Sequence, residues 1–487
     1  MQTNASRTRV CVPVCEKNLG ALKSACERAT EWADVVELRL DCLEPQDLSA
    51  AVLNLSSVSR PLILTLRPSE QGGYSDLTRE ERLAFWQTQA ARGDAVWWDV
   101  EGDVAHDLSP DWSHIILSHH DFSGVPADLE KIYERLAQTP ARVIKIAVQA
   151  NEIVDCIPVL QLIDRARNEG REVIAIAMGN AGIATRILGP SRGAFLTYGS
   201  LDEDSATAPG QVNARTLRSL YNIDAINHET MICGLVGQPA MHSVSPHIHN
   251  AAFAHEGVNG AYLPFEVSDV RSFMKRMVHP RTRELNWNLR GLSITAPHKQ
   301  TVMECLDWIE AEAKEIGAVN TVVVEEDRLL GYNTDAAGFI EPLHKRMGSL
   351  EGKQVAIIGA GGAARAAVWA LKREGANVTL LVRDVSRVNA PCEPLASASF
   401  SGYDLVVNAT PVAPATQEQL RGARWVYDLV YNPIDTRLMQ EAREAGCQTL
   451  GGLEMLVAQA KIQFKRWTGK TPSESIMYES ALTGLQD

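Results

Sequence analysis

KQVAIIGAGGAARAAVWALKREGANVTLLVR, Lys353–Arg383, reads as a strand, a glycine-rich turn, a helix and a second strand. Gly359, Gly361 and Gly362, with Ala360 and Ala363 beside them, allow a tight turn and close approach of a pyrophosphate to the helix N-terminus. A glycine-rich turn alone is a weak signal. Set between strand and helix, with another strand about 20 residues on, it predicts a Rossmann nucleotide-binding domain. The end of that second strand selects the dinucleotide: an acidic residue suits the NAD ribose, an arginine the 2′-phosphate. Arg383 follows LLV and Arg387 comes shortly after, so two guanidiniums favour NADP. Asp384 competes, since a small register shift would bring its carboxylate to the ribose. The plainer alternative makes both arginines solvated loop residues.

Upstream, Met231–Gly338 carries GQPAMHSVSPHIHNAAF, GLSITAPHK, GAVNT and GYNTDAAGF. His242, His247 and His249 suggest a metal, but no acidic or cysteine partner sits at ligand spacing, so they read as loop histidines and no metal is expected. Ser243 and Ser245 precede a helix and suit orienting a carboxylate. Lys299 lies just past one strand and Asp335 at the end of another. Such a pair can hold and deliver a proton to a developing alkoxide; the alternative is an exposed lysine and a helix cap.

The first half is built differently. VCVPV, VVELRLD, PLILTLR, VWWDVE, HIILSHH, RVIKIAV, EVIAIAM and AFLTYGS recur between Val10 and Ser200, with helix-like stretches between most of them. Asp76 and Asp128 are the expected N-caps of two of these helices. About eight β/α units in some 200 residues suit a (β/α)₈ barrel; a doubly wound open sheet is the competitor. The gap between the fourth and fifth runs is short, so that helix should be reduced. Polar residues interrupt the apolar runs. Glu37, Arg39 and Asp41 alternate and should share one strand face. Arg67, Asp99, Glu101, His119 and His120 sit at strand ends, where barrel enzymes keep their chemistry. Lys145, in the middle of RVIKIAV, either tilts out to solvent or is desolvated for a purpose. Desolvation beside Arg39, Arg67 or Arg186 would free its amine as a nucleophile toward a carbonyl, with a histidine to move a carbon-bound proton.

ELRLD, TLRP…GG, LSHHDF, KIAV, GIATRILGP and SATAPGQV, in this order, resemble type I 3-dehydroquinate dehydratase over about the first 220 residues. The resemblance implies an imine on Lys145, His120 as general acid/base, and Glu37, Arg39, Arg67, Arg186, Thr207 and Gln211 as substrate contacts. Gln71 stands where that family has an acidic residue, with Glu70 as a possible substitute; His119 is expected to have no chemical role. The motifs of residues 231–487 resemble shikimate dehydrogenase. This implies Lys299 and Asp335 as the catalytic pair, with Ser243, Ser245, Thr295, Asn320, Tyr431 and Gln459 around shikimate. NATPVAP (Asn408–Pro414) departs from that family's usual run. The ketone expected from the first half is the substrate expected for the second, so the whole chain resembles a fused dehydratase–dehydrogenase. Expected boundaries are 1–224 for the barrel, 231–337 with 453–487 for the substrate domain, and 338–452 for the Rossmann domain. A quinate-directed dehydrogenase and a non-catalytic metabolite sensor are the alternatives.

Composition limits the rest. The 487 residues are 45% hydrophobic and 22% charged, in the globular range, with a net charge of −13 and no basic block. Nucleic acid and anionic membrane are therefore not expected partners; small-molecule substrates are. No apolar run reaches the ~18 residues of a membrane span, and MQTNASRTRV lacks a signal-peptide core. Nine scattered cysteines without a CxxC pair argue against a disulfide framework and for a cytoplasmic setting.

Overall fold

The computed structural model describes residues 8–53, 58–88, 96–108, 111–388 and 390–486. Most of the N-terminal segment read for a signal peptide, and the last residues of the predicted helix after Asp76, lie outside them. The chain divides into two units: Met1–Thr230 with Phe265–Asp269 and Glu284–Asn288, and the remainder.

The first unit holds eight strands: β1 Val10–Val14, β2 Val35–Arg39, β3 Leu62–Thr65, β4 Val96–Glu101, β5 Ile115–Asp121, β6 Val143–Gln149, β7 Glu172–Met178 and β8 Thr197–Tyr198. They pair in parallel in the order β7-β6-β5-β4-β3-β2-β1-β8. Phe195, just before β8, donates its N–H to Val173 in β7 at 2.7 Å and closes the ring. This is the (β/α)₈ barrel. An apolar layer of Cys11, Val35, Ile63, Ile116, Val143, Ile174 and Leu196 fills it. That layer carries a polar one above it, so buried charges stand on a dry floor.

Local details correct the sequence reading at four points. Asp41 is not on the strand: β2 ends at Arg39, and Leu40–Cys42 forms a 3₁₀ turn that folds the carboxylate back onto Arg39. The helix after β3 begins at Arg79, and its cap is Thr78 rather than Asp76. Thr78 donates its N–H to Glu81 and accepts from the Glu81 N–H. Asp128 does occupy the N-cap position of Leu129–Ala137, without a side-chain capping bond. The eighth run pairs only over Thr197–Tyr198; Gly199 beyond it lies so close to Ala214 that an added Cβ would sit 2.9 Å from its Cα. The helix between β4 and β5, Gly102–Leu108, is short as expected. Fourth, Cys15 and Cys42 form a disulfide, Cα–Cα 5.4 Å. Each follows the end of one of two adjacent strands, a proximity that sequence spacing does not reveal.

The second unit contains two sheets. One joins β9 Met231–Gly237, β10 Gly260–Glu266, β11 Leu289–Ile294, β12 Trp308–Ile309, β13 Thr321–Val324 and β14 Leu329–Tyr332 in the order β10-β9-β11-β13-β14-β12, with β13 antiparallel to both neighbours. The other joins β15 Gln354–Ile358, β16 Asn377–Val382, β17 Glu393–Pro394, β18 Leu405–Asn408, β19 Trp425–Asp428 and β20 Gln448–Gly451. Its order, β17-β16-β15-β18-β19-β20, is the doubly wound one, with its topological switch at β15/β18. Helices Gly452–Thr468 and Glu474–Gly484 bury Leu453, Val457, Phe464, Trp467 and Met477 in one core with Cys233 and Leu235 of β9 and Phe253 of the helix Ser245–His255.

Candidate active sites

Strand register in the barrel brings distant residues to one level: Arg39 pairs with Thr65 and Thr65 with Asp99, while Glu101 pairs with Ser118 and Ser118 with Lys145. One pocket collects Glu37, Arg39, Arg67, His120, Lys145, Arg186, Thr207 and Gln211, with Gln71 and Tyr198. All eight barrel residues that the family resemblance implies therefore share one pocket. Lys145 is buried. Its Nζ lies 2.6 Å from Asp99 Oδ2, 3.4 Å from Glu37 Oε1 and 2.9 Å from the Tyr198 hydroxyl. The nearest charges are thus carboxylates, not the arginines the sequence reading supposed. Arg67 instead backs Asp99 at 2.7 Å and donates to Glu101 and Ser118, each at 2.7 Å. Burial works against the Asp99 carboxylate, but Arg67 and Lys145 outweigh it and hold the carboxyl well below its ordinary range.

His120 faces the same space. Burial first, then Arg67 and Lys145, lower its imidazole well below 6.5, and among the described residues its buried Nδ1 has no hydrogen-bond partner. The group is a neutral base. His119 lies on the other face of β5, lining a separate cavity with His106 and Arg135. Gln71, and not the exposed Glu70, lines the pocket; its buried Oε1 has no partner among the described residues. Thr207 donates its N–H to Gln211 Oε1 at 2.8 Å.

The ion pairs nearly close on themselves. Glu37, Asp41, Asp99 and Glu101 face Lys145, Arg39, Arg67 and Arg82. Arg186 is left over. Only 1% exposed, it donates to the Pro209 carbonyl at 3.2 Å, its Nε has no partner, and among the described residues no carboxylate pairs with it. Burial lowers its guanidinium to about 10. A buried cation without an anion is a binding site for one. Arg82 and Tyr198 belong to this cluster and were not recognised as such in the sequence. Arg82 sits on a helix, where a lone buried arginine has no period to mark it.

In the second unit Lys299 Nζ meets Asp335 Oδ2 at 2.6 Å. Asp335 opens the helix Asp335–Met347, and Asn320 donates to its other oxygen at 2.8 Å. Asn320 also lies 3.5 Å from Gln459 Oε1, so the four form one cluster. Ser243 donates to Ser245 at 3.1 Å, and burial raises the Tyr431 phenol against a hydrogen bond with Ser243. Thr295, just past β11, packs on Gly237, where an added Cβ would sit 2.3 Å from its Cγ2. Gln463, one helical turn beyond Gln459, is a further member: it accepts from Ser293 and donates to Thr321 at 2.8 and 2.9 Å. An i, i+4 glutamine pair on an otherwise apolar helix face was its signal. His249 is fully buried and stacks on Tyr262 at 4.3 Å.

The dinucleotide turn lies between β15 and the helix Gly362–Arg373. Gly359 has φ +115° and lies against Ala409 and Thr410, whereas Gly361 faces open space. A Cβ at Gly362 would come 3.0 Å from Lys299 Cδ, so the turn and the lysine are neighbours. Beyond β16, Asp384 accepts from Ser386 N–H and hydroxyl and lies 3.1 Å from Arg387 Nε. Its carboxylate is thus committed to its own turn, and Arg383 is exposed beside it. Asn408 ties down the NATPVAP loop by donating to Thr410 and Val412 carbonyls and to Asp428.

Known proteins resemble both halves. The family described as Type I 3-dehydroquinase matches residues 10–228. The shikimate dehydrogenase substrate binding domain matches 235–322 and the shikimate 5′-dehydrogenase C-terminal domain 452–482. The bifunctional 3-dehydroquinate dehydratase/shikimate dehydrogenase, chloroplastic, of Arabidopsis thaliana is 31% identical over 516 aligned positions, covering 96% of this chain and 83% of that protein. The shikimate dehydrogenase (NADP(+)) of Caldanaerobacter subterraneus is 35% identical over 52% of this chain and 97% of its own length. A solved structure, the dehydroquinate dehydratase and shikimate dehydrogenase from S. pombe AroM, is 26% identical over 98% of both chains, TM-score 0.44. With a relative 31% identical over 96% of this chain and a matching family on each half, this chain belongs to the family of bifunctional 3-dehydroquinate dehydratase/shikimate dehydrogenases.

Proposed function

We propose that the barrel dehydrates 3-dehydroquinate to 3-dehydroshikimate through an imine on Lys145, and that the second unit reduces this product to shikimate with NADPH. One observation carries the reading: a buried amine, a neutral imidazole and an unpaired buried guanidinium line the same pocket. The substrate carboxylate neutralises Arg186. The ketone meets Lys145, and the cationic imine acidifies the neighbouring carbon. His120 removes that carbon's proton and returns it to the departing hydroxyl, which leaves as water. Glu37, Arg39, Arg67, Thr207 and Gln211 hold the ring in place.

In the second unit Ser243, Ser245 and Tyr431 take the carboxylate, with Thr295, Asn320 and Gln459 along the ring. Lys299, paired with Asp335, supplies the proton as the ketone becomes an alcohol. NADPH supplies the hydride. The fit of this chain to the dinucleotide rests on the open space at Gly361, the positive φ of Gly359 and an Asp384 turned away by Arg387 and Ser386. Gly359, Ala360, Gly361, Gly362 and Ala363 cradle the pyrophosphate, and Arg383 with Arg387 takes the 2′-phosphate.

The boundaries proposed are those expected from sequence: 1–224, 231–337 with 453–487, and 338–452. The substrates are small molecules, with no nucleic acid or membrane partner, and the setting is the cytoplasm. Among the described residues no helix is long and apolar enough to cross a membrane. Incubation with 3-dehydroquinate and NADPH tests the whole. Shikimate is the expected product; accumulation of 3-dehydroshikimate leaves only the barrel reading, and unchanged substrate removes the barrel reading, with reduction of added 3-dehydroshikimate then deciding the second.

A further inference from the structure

One group at the reacting nitrogen has no task in this scheme. Tyr198 is 4% exposed at the end of β8 and lines the pocket. Its hydroxyl accepts from Lys145 Nζ at 2.9 Å, and the ammonium stands 4.4 Å from its ring centroid. Among the described residues no acceptor takes the phenol's own hydrogen. Burial and the carboxylates Glu37 and Asp99 raise this phenol well above 10, so the hydroxyl keeps its proton at neutral pH.

Imine formation has a proton requirement. An ammonium and a ketone give a cationic imine and water, so two hydrogens must pass from nitrogen to oxygen. The neighbours of Nζ are poorly suited to donate. Asp99 is ionised and held by Arg67, and Glu37 accepts from Thr65 at 2.6 Å. His120 is a neutral base able to take the first hydrogen from the ammonium. The second needs a group that gives and accepts at once.

We propose that Tyr198 is a catalytic residue of imine formation, relaying a proton from the attacking Lys145 nitrogen to the ketone oxygen. As the Nζ–carbon bond forms and the carbonyl π bond breaks, the phenol gives its hydrogen to the oxygen and takes one from the nitrogen, ending neutral. The hydroxyl so formed leaves as water with the proton held by His120, while the nitrogen lone pair completes the C=N bond. The ledger closes without an outside reagent. The hydroxyl is small, neutral and preorganised at the bond being made.

The inference rests on the imine reading, and the test separates the two. In ¹⁸O-water the wild-type enzyme should exchange the ketone oxygen of 3-dehydroshikimate, and borohydride should trap Lys145. Failure of both removes the imine itself. Tyr198→Phe should slow exchange and trapping at least roughly tenfold, within the usual range for a lost acid–base group. Its KM for 3-dehydroquinate should change less than about twofold, the ordinary result when an interaction made only in the transition state is lost. Melting temperature and NADPH-dependent reduction should stay at wild-type values. Exchange at the wild-type rate overturns the proposal. If the Phe variant does not fold, 3-fluorotyrosine at position 198 decides. Its earlier ionisation should move the basic limb of the exchange profile to lower pH, and an unmoved limb overturns the proposal.

Discussion

Arg186 shows how one side chain trades stability for binding. Its guanidinium is lowered to about 10 by burial alone, against an ordinary value near 12.5. Holding it charged at neutral pH therefore costs roughly 3 kcal/mol. Arg186→Met, which keeps the length and drops the charge, should raise the KM for 3-dehydroquinate at least roughly tenfold, as expected for a lost charged hydrogen bond. The same variant should unfold at an equal or higher temperature. An unchanged KM puts the carboxylate elsewhere. His120 gives a second prediction at this scale. Its imidazole is depressed in the folded enzyme, so between 6.5 and that lower value only the unfolded chain takes the proton. Its contribution to stability is thus full above pH 6.5 and is lost as pH falls. The free enzyme keeps a neutral base over the same range. Dehydratase kcat/KM should accordingly show no acid limb centred near 6.5, and finding one would assign the base to another group.

Elements position these groups by close approach. The helix Asp335–Met347 carries Asp335 and packs on Gly452–Thr468, which carries Gln459. Contact is made at Gly338, where a Cβ would lie 2.7 Å from Gln459 Cβ and 2.8 Å from its backbone N. Neither atom is the loose end of a side chain, so the helices must separate. Gly338→Ala should cost about 1–3 kcal/mol and lower the reduction rate by moving Gln459 away from Asn320. Dehydration by the barrel should be unchanged; wild-type reduction and melting would show that the helix pair is not what sets the site. Strand periodicity made Glu37 and Arg39 legible as one face, but it failed at Asp41, where the backbone leaves the strand and returns the carboxylate to its neighbour. A period describes a face only as long as the strand lasts.

At the scale of the molecule the two activities should separate by mutation. Lys145→Ala should abolish 3-dehydroquinate turnover and leave reduction of added 3-dehydroshikimate intact, with Asp335→Asn doing the reverse. Loss of both in either variant would contradict independent sites. The order of runs and turns in the chain was enough to determine its elements, eight β/α units and then a glycine-rich βαβ unit, whereas closure into a barrel rather than an open sheet was decided by the contact of Phe195 with Val173 across β8 and β7. Local periodicity and backbone freedom are written in neighbouring residues. The same locality made Lys145, Lys299 and Asp335 stand out as charges in apolar or turn contexts and put His119 and His120 at a strand end, the choice between the two histidines coming from the family resemblance. Partnership was not local. That Lys145 meets Asp99 and Tyr198, that Arg82 joins the network, that Cys15 pairs with Cys42 and that the buried Arg186, among the described residues, has no carboxylate partner all depend on strands, helices and turns far apart in sequence meeting in the closed barrel. Charge and hydrogen-bond balance is a property of that closed space, so only the tertiary structure decided which groups are satisfied and which are left for a ligand.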